Sequence, residues 1–458
     1  MQRSIVFLFG KQQRFVTVPL LFALYLAVLL LLVGHKPLWL DEIWQQLRTR
    51  NVSFDEMVSY ARHGAGGAFL PHFCQWLILK VLPYSAAVSR LPSLLFGFGA
   101  AVCFWLQARE LKLKVPEIAV ALWMALPIVF RYTLEARPYS PALFFDCWAL
   151  LLLFQLDEQP SARRSVRLLL VAAATLYSHP FAIFEILAIA SLLAGTSLDW
   201  RRKLPYLVLP VLASFLLYLP WYLSASKEWS NGLASEGTIA VFDTKLPLRV
   251  LREYTGGGYV VGLGLLALVV LGLQIPGRRR TKLVLAAGFA AGLIVPLLAE
   301  QKLHYFYAAR HLMFALPSGV LLGAYAFESR MPSRQVLARL LLLAVLIGSA
   351  ATITIKETGP QEDWRPVADR LHQLSLAGNC IASADPDGLV YYAFFRPSLN
   401  KSECRSSEKA VVLVANPYTP LELDKIKARE LLEKGYEETG KEQINGFRIA
   451  LFARSCCR

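Results

Sequence analysis

Long apolar runs return along almost the whole chain, and their recurrence constrains the fold more than any other feature. Stretches such as PLLFALYLAVLLLLVG, RLLLVAAATLYS, YLVLPVLASFLLYLPWYL and LARLLLLAVLIGSAATITI approach or reach the length that crosses a hydrocarbon core of about 30 Å at about 1.5 Å per residue. A soluble core has no use for so many. With 55% of residues hydrophobic and only 18% charged, the chain belongs in a bilayer.

The runs predict eleven spans, near 15–33, 86–107, 117–131, 139–156, 166–178, 180–195, 204–222, 257–275, 282–299, 311–327 and 340–356. The first lacks a small-residue cleavage site, so it is expected to stay as a helix and not leave as a signal peptide. The formal charge of +15 does not point to nucleic acid, because the Lys and Arg residues stand in short loops between apolar runs and form no single stripe. If 69–84 does not cross, the clusters Arg3/Lys11/Arg14, Arg109/Lys112/Lys114, Arg163/Arg164/Arg167, Arg201/Arg202/Lys203, Arg278/Arg279/Arg280/Lys282 and Arg330/Arg334/Arg339 share one side. The positive-inside rule makes that side the cytoplasm and makes 69–84 an interfacial or re-entrant element. Residues 34–85, 131–138, 178–180, 223–256, 299–310 and the tail then lie outside.

Past residue 356 the composition turns charged. Helices are expected at DWRPVADRLHQL and LELDKIKARELLEK and strands at CIASA, AVVLVA and FRIALFA, a pattern that suits a small α/β domain. The expected organisation is a transmembrane domain over 1–356, with interfacial helices in its 34–85 outer loop, and an extracytoplasmic α/β domain over 357–458. Cys74, Cys103 and Cys147 sit in apolar surroundings and suit packing. Cys380, Cys404, Cys456 and Cys457 lie in the polar tail, where an oxidising compartment permits a disulfide whose pairing the spacing does not fix.

Residues fit for chemistry gather on the outer side. Asp41 and Glu42 follow the first span inside HKPLWLDEIWQQL, where a carboxylate held at the water–lipid boundary accepts a proton more readily than one in water. The plainer alternative is an acidic pair beside an aromatic belt. Beyond it, WQQLRTRNVSFDEMVSYARHG suits two short amphipathic helices, the second opened by Ser53 with Glu56 at the capping-box position. In FRYTLEARPYSP, Arg131, Glu135, Arg137 and Tyr139 crowd a short outer connection, and an Arg fork there suits a phosphate. Ser178-His179-Pro180 forms a tight outer turn. EQKLHYFYAARHLMFALP places Lys302, His304, Tyr305, Tyr307, Arg310 and His311 at the outer end of a span, where cations can hold a phosphate headgroup and rings can stack on a sugar. The loop 223–256, closed by Gly256-Gly257-Gly258, is a lid or acceptor site in the functional reading. No glycine-rich phosphate loop and no metal motif occurs in the sequence; no cofactor is called for, and a divalent metal stays open.

Taken in order, the Asp-Glu pair after the first helix, PHFCQWLILKVLPYSAAVSRLPSLLFG, RYTLEARPYS, the Ser-His turn, YAARHLMFALP and EDWRPVADRL resemble the GT-C glycosyltransferases. The branch is that of the protein O-mannosyltransferases and lipid A aminoarabinose transferases in bacterial form. The resemblance covers most of residues 10–375 and implies a multi-pass protein of the bacterial inner membrane that transfers a sugar, with inversion, from a polyprenyl-phosphate donor to a lipid, glycan or protein acceptor. It implies Asp41 as the base, Glu42 as its support, and Arg137, Tyr305 and Arg310 as donor contacts. Tyr139, His72 and His179 complete the candidate substrate site, although Phe69-Leu70-Pro71-His72 departs from the family's usual second motif. The rival from another class is a flippase for lipid-linked sugars, which normally carries internal repeats and midplane charges.

Overall fold

A computed structural model describes residues 11–63, 68–236, 244–303, 309–358, 362–384, 388–400, 404, 408–417 and 419–454. The chain divides into two compact units, one made of residues up to Gly34 with Arg48–Lys356, the other of His35–Leu47 with Glu357–Arg458.

In chain order the first elements are α1 (Lys11–Leu32), α2 (Leu40–Leu47, in the second unit), α3 (Phe54–His63) and α4 (Phe69–Val81). The first unit continues with α5 (Ala86–Glu110), α6 (Pro116–Ala125), α7 (Pro127–Thr133), α8 (Tyr139–Glu158), α9 (Ala162–Ser178), α10 (Ile183–Gly195), α11 (Trp200–Glu236), α12 (Leu246–Glu253), α13 (Gly258–Gln274), α14 (Arg279–Leu303), α15 (Leu316–Ala324) and α16 (Pro332–Thr358). Each of the eleven stretches expected to span is helical. Among the described residues, five helices are long and apolar enough to cross alone, and α12 with α13 make a sixth segment bent by 90°. The chain is thus a multi-pass helical membrane protein.

Local chemistry accounts for the departures from uniform spans. Pro127 cannot continue a helix through its missing N–H, so the 117–131 stretch breaks at Leu126 into α6 and α7. At 13 residues, α4 is about 20 Å long, short of the hydrocarbon core. Ser53 and Glu56 form the capping box of α3, the Glu56 N–H donating to Ser53 Oγ (3.2 Å) and the Ser53 N–H to Glu56 Oε2 (2.7 Å). The expected loop 223–256 is helical as far as Glu236 in α11 and again in α12.

Small residues let the helices close up. A Cβ on Gly272 would collide with the Leu322 carbonyl, and one on Gly97 with the Thr133 side chain. At one end of the bundle, basic clusters from separate loops converge. Asp157 accepts hydrogen bonds from Arg280 (2.6 and 2.9 Å) and Lys203 (2.5 Å), while Arg278 donates to the carbonyls of Leu111 and Lys112. Since α8 runs from Tyr139 to Glu158, this basic end lies opposite the end that carries Tyr139.

The second unit adds α17 (Arg365–Leu376), β1 (Cys380–Ser383), α18 (Gly388–Phe395), β2 (Ala410–Ala415), α19 (Leu421–Glu433), β3 (Tyr436–Ile444) and β4 (Phe447–Arg454). The sheet order is β1-β2-β4-β3, with β1 parallel to β2 and the other neighbours antiparallel. Alternation divides the layers: Phe447 meets Trp364 and Tyr392 on one face, while Phe452, Val411 and Leu413 pack with Leu431 of α19 on the other. Cys380 and Cys404 form a disulfide.

Candidate functional site

The connection between α7 and α8 is folded tightly by its own side chains. Arg131 Nε donates to Glu135 Oε1 at 2.6 Å, the Arg137 N–H to the Glu135 carbonyl at 2.8 Å, and Ser140 Oγ to the Tyr132 carbonyl at 2.6 Å. Ser93 Oγ of α5 donates to the Arg137 carbonyl at 3.3 Å. Three arginine and tyrosine positions that lie far apart in an extended chain are thereby fixed on one short segment.

Rings gather over this segment. The Tyr139 ring lies 4.5 Å from Tyr132, 5.6 Å from His179 and 6.4 Å from His311, while the two imidazoles are 5.1 Å apart. The Arg310 guanidinium sits 5.7 Å from the Tyr139 ring centre. Of the sequence-predicted residues, then, Tyr139, His179 and Arg310 come together around the Arg137 connection. His179 accepts from the Phe181 N–H through Nδ1 at 3.4 Å. Burial, with Arg310 and Arg137 adding to it, pushes its pKa down to about 3. Burial also pushes His72 down to about 4, against the Ala68 carbonyl that accepts from its Nδ1 at 2.7 Å and with Arg48 and Arg137 reinforcing the burial. Both imidazoles are neutral near pH 7, which leaves the positive charge of the region to arginine and lysine. Tyr305 lies outside the described residues.

A cavity of about 450 Å³ opens beside the arginines. Arg131, Arg252, Arg310 and Lys356 line it, with Tyr132, Glu253, Thr352 and the Gly256-Gly257-Gly258 turn. Gly256 is at φ +71°, and a Cβ there would stand 3.0 Å from the Ile128 nitrogen, so the turn needs glycine to pass this close to α7. Lys356 Nζ donates to the Gly256 carbonyl at 2.8 Å. Of the four cations, Arg131 pairs with Glu135 and Arg252 with Glu253, and guanidinium and ammonium groups gathered in this way suit an anion with several oxygens. Sequence reasoning singled out Arg131 and the glycines but missed Arg252 and Lys356. Their one available signal was positive charge in or beside stretches expected to lie outside, where the positive-inside rule disfavours it.

Two helical turns from Tyr139, Asp146 of α8 meets Glu185 of α10 carboxyl to carboxyl, and the Ser318 N–H of α15 donates to Glu185 Oε1 at 3.1 Å. Both carboxyls are fully buried. This contact joins α8, which begins at Tyr139, to α10 and α15, which follow His179 and His311 in the chain.

Asp41 and Glu42 lie on α2 in the second unit, Asp41 half-buried and Glu42 at 0% exposure. The tail fixes that helix: Glu362 Oε1 accepts from the Leu40 N–H (2.9 Å) and from Trp364 Nε1 (2.6 Å), and Trp44 lies 5.7 Å from the Tyr391 ring. A carboxylate that accepts from the first turn of a helix satisfies an amide with no partner inside that helix. The EDWRP segment therefore holds the acidic pair in place. Among the described residues, no group of three or more His, Cys, Asp or Glu side chains is placed to hold a metal ion.

No protein-family model matches the sequence, and the comparison with curated proteins returns no match. Solved structures do match. The chain shares its fold with them, a polytopic helical membrane domain followed by a small sheet domain. ArnT from Cupriavidus metallidurans bound to undecaprenyl phosphate aligns with a TM-score of 0.59 at 12% identity, covering 94% of this chain and 97% of that one; its apo state gives 0.56 at 12% identity over the same shares. The arabinofuranosyltransferase AftD from Mycobacteria, in a mutant form, gives 0.50 at 15% identity, covering 94% of this chain and 41% of that one.

Proposed function

We propose that this chain is an inverting glycosyltransferase of the bacterial inner membrane. It moves a sugar from a polyprenyl-phosphate donor to a lipid, glycan or protein acceptor on the outer face. The observation that carries the proposal is the cavity lined by Arg131, Arg252, Arg310 and Lys356. A polyprenyl chain stays in the bilayer and leaves its phosphate at headgroup depth, where several cations neutralise the charge that grows as the phosphate departs. Asp41 takes the proton from the attacking hydroxyl or amine, and Glu42 supports it. One displacement inverts the anomeric carbon, and the phosphate remains on the carrier. The likeness to ArnT bound to undecaprenyl phosphate supports this choice of donor. Residues 1–356 are the transferase domain and 357–458 an extracytoplasmic domain, a side that suits the Cys380–Cys404 disulfide.

A second reading, a transporter of lipid-linked sugars, draws on Asp146 and Glu185, which are ionisable groups inside the bundle. One experiment separates the two. Mass spectrometry of lipids, polysaccharides and protein glycans from cells lacking the protein is expected to show an acceptor without its sugar and the lipid-linked sugar accumulating outside. Accumulation on the cytoplasmic face favours transport instead.

A further inference from the structure

A second cavity, of about 260 Å³, opens in the second unit and serves no step of the proposed reaction. It lies between the sheet and the C-terminal half of α19. Strand β1 is an edge of the sheet and turns Cys380 and Ala382 to this face, two short side chains that leave the space beside α19 unfilled. Ala382, Val411 and Leu413 form the floor, with Leu431 of α19 and Cys404, which the disulfide ties to β1. Tyr436 also lines the cavity, and its hydroxyl donates to the Glu408 carbonyl at 2.8 Å, so what it offers there is the carbon of its ring. Lys427, Glu430 and Lys434 stand at the rim, three and four residues apart and therefore on one face of α19. Lys427 Nζ is 3.2 Å from Glu430 Oε2, with the two side chains 41% and 44% exposed, and Lys434 is exposed. An exposed pair of this kind holds its members loosely, so both remain available to a ligand.

The lining makes three demands of an occupant. Its floor wants a face of carbon and hydrogen. Glu430, which as a carboxylate only accepts, wants a hydroxyl that donates. Two ammonium groups against that one carboxylate leave a single positive charge, which wants one anionic group. Small-molecule sites span about 300–1,000 Å³, and a cavity just below that range admits one ring and no chain. A fatty acid brings no hydroxyl for Glu430, and inorganic phosphate brings no apolar face. A sugar ring with a carboxylate or a phosphate meets all three demands. We propose, beyond the transfer reaction, that the second unit binds one acidic sugar unit in this cavity, a uronate or a sugar phosphate.

The test titrates the purified full chain in detergent with galacturonate, glucose 6-phosphate, glucose and inorganic phosphate, by isothermal titration calorimetry. At least one of the two acidic sugars is expected to bind about tenfold or more tighter than both glucose and phosphate, and which one does so tells a carboxylate from a phosphate. The double variant Lys427→Gln/Lys434→Gln should lose about tenfold or more of that affinity at an unchanged melting temperature. Ala382→Leu, which grows into the floor and keeps both lysines, should weaken the same sugar. If Ala382→Leu does not fold, the lysine variant decides alone, because its two side chains reach water. Affinity that persists in the lysine variant overturns the assignment and moves the acidic sugar to the arginine-lined cavity. Galacturonate bound no better than glucose, together with glucose 6-phosphate bound no better than phosphate, overturns it as well, and so does a chain that binds none of the four.

Discussion

The arginine-lined cavity and the α2 helix are polar in opposite ways. The cavity draws Arg131, Arg252, Arg310 and Lys356 from four distant stretches of chain, and no one of them is alone in its role. On α2, a single stretch of eight residues carries Asp41 and Glu42, the second fully buried. The contrast follows from what each kind of chemistry demands. Neutralising a phosphate is a sum over charges and tolerates redundancy, whereas taking one proton needs one oxygen in one position. Substitutions on α2 should therefore act all or none, and substitutions around the cavity by degrees.

The largest effect is expected at Asp41. Asp41→Asn keeps the shape of the side chain and removes its basicity, so sugar transfer should fall by about 10²- to 10⁴-fold with expression and membrane insertion unchanged. Full activity in this variant removes Asp41 as the base and, with it, the contrast between the two regions. Around the cavity, Arg310→Ala should cost roughly 10- to 100-fold and Lys356→Met less, with the loss weighted toward donor affinity, as expected for single charges in a shared receptor. If either cavity variant abolished transfer outright, the cavity would be as intolerant as α2 and redundancy would be the wrong account.

A third expectation concerns the support beneath the ring cluster. Asp146→Leu strands Glu185 without its carboxyl partner in the bundle, and a buried acceptor left unsatisfied costs about 1–3 kcal/mol. The melting temperature in detergent should drop. Asp146→Asn, which can still donate to Glu185, should drop it less. Equal melting for the two variants would show that the contact does not fasten α8 to α10.

Much of this was legible before any coordinates. The apolar runs place each helical stretch, and RYTLEARPYS, the Ser-His turn and YAARHLMFALP, all expected on one side, bring Tyr139, His179 and Arg310 together. What escaped has physical reasons. Arg252 and Lys356 are about a hundred residues apart, and only the glycine turn at 256–258 brings them to one cavity. Strand β3 was missed because Glu437, Glu438, Lys441 and Glu442 make it charged and largely exposed without apolar alternation, so it looks like a solvated loop. The Asn445-Gly446 pair, both at positive φ, was the hairpin signal that went unread.

The smallest expected effect sharpens the electrostatic side of the contrast. His72 and His179 are buried among arginines, and their pKa values are pushed down to about 4 and about 3 from the ordinary value near 6.5. Below pH 6.5 the unfolded chain binds protons that the folded chain refuses. Stability is therefore level above that pH and falls as the pH drops through 6.5 toward 4, by at most about 1.4 kcal/mol per pH unit for each imidazole. Melting curves of the wild type in detergent should shift downward across this window, and those of a His72→Gln/His179→Gln double variant should shift less. Parallel curves would show that burial, which the nearby arginines only reinforce, does not hold these imidazoles neutral.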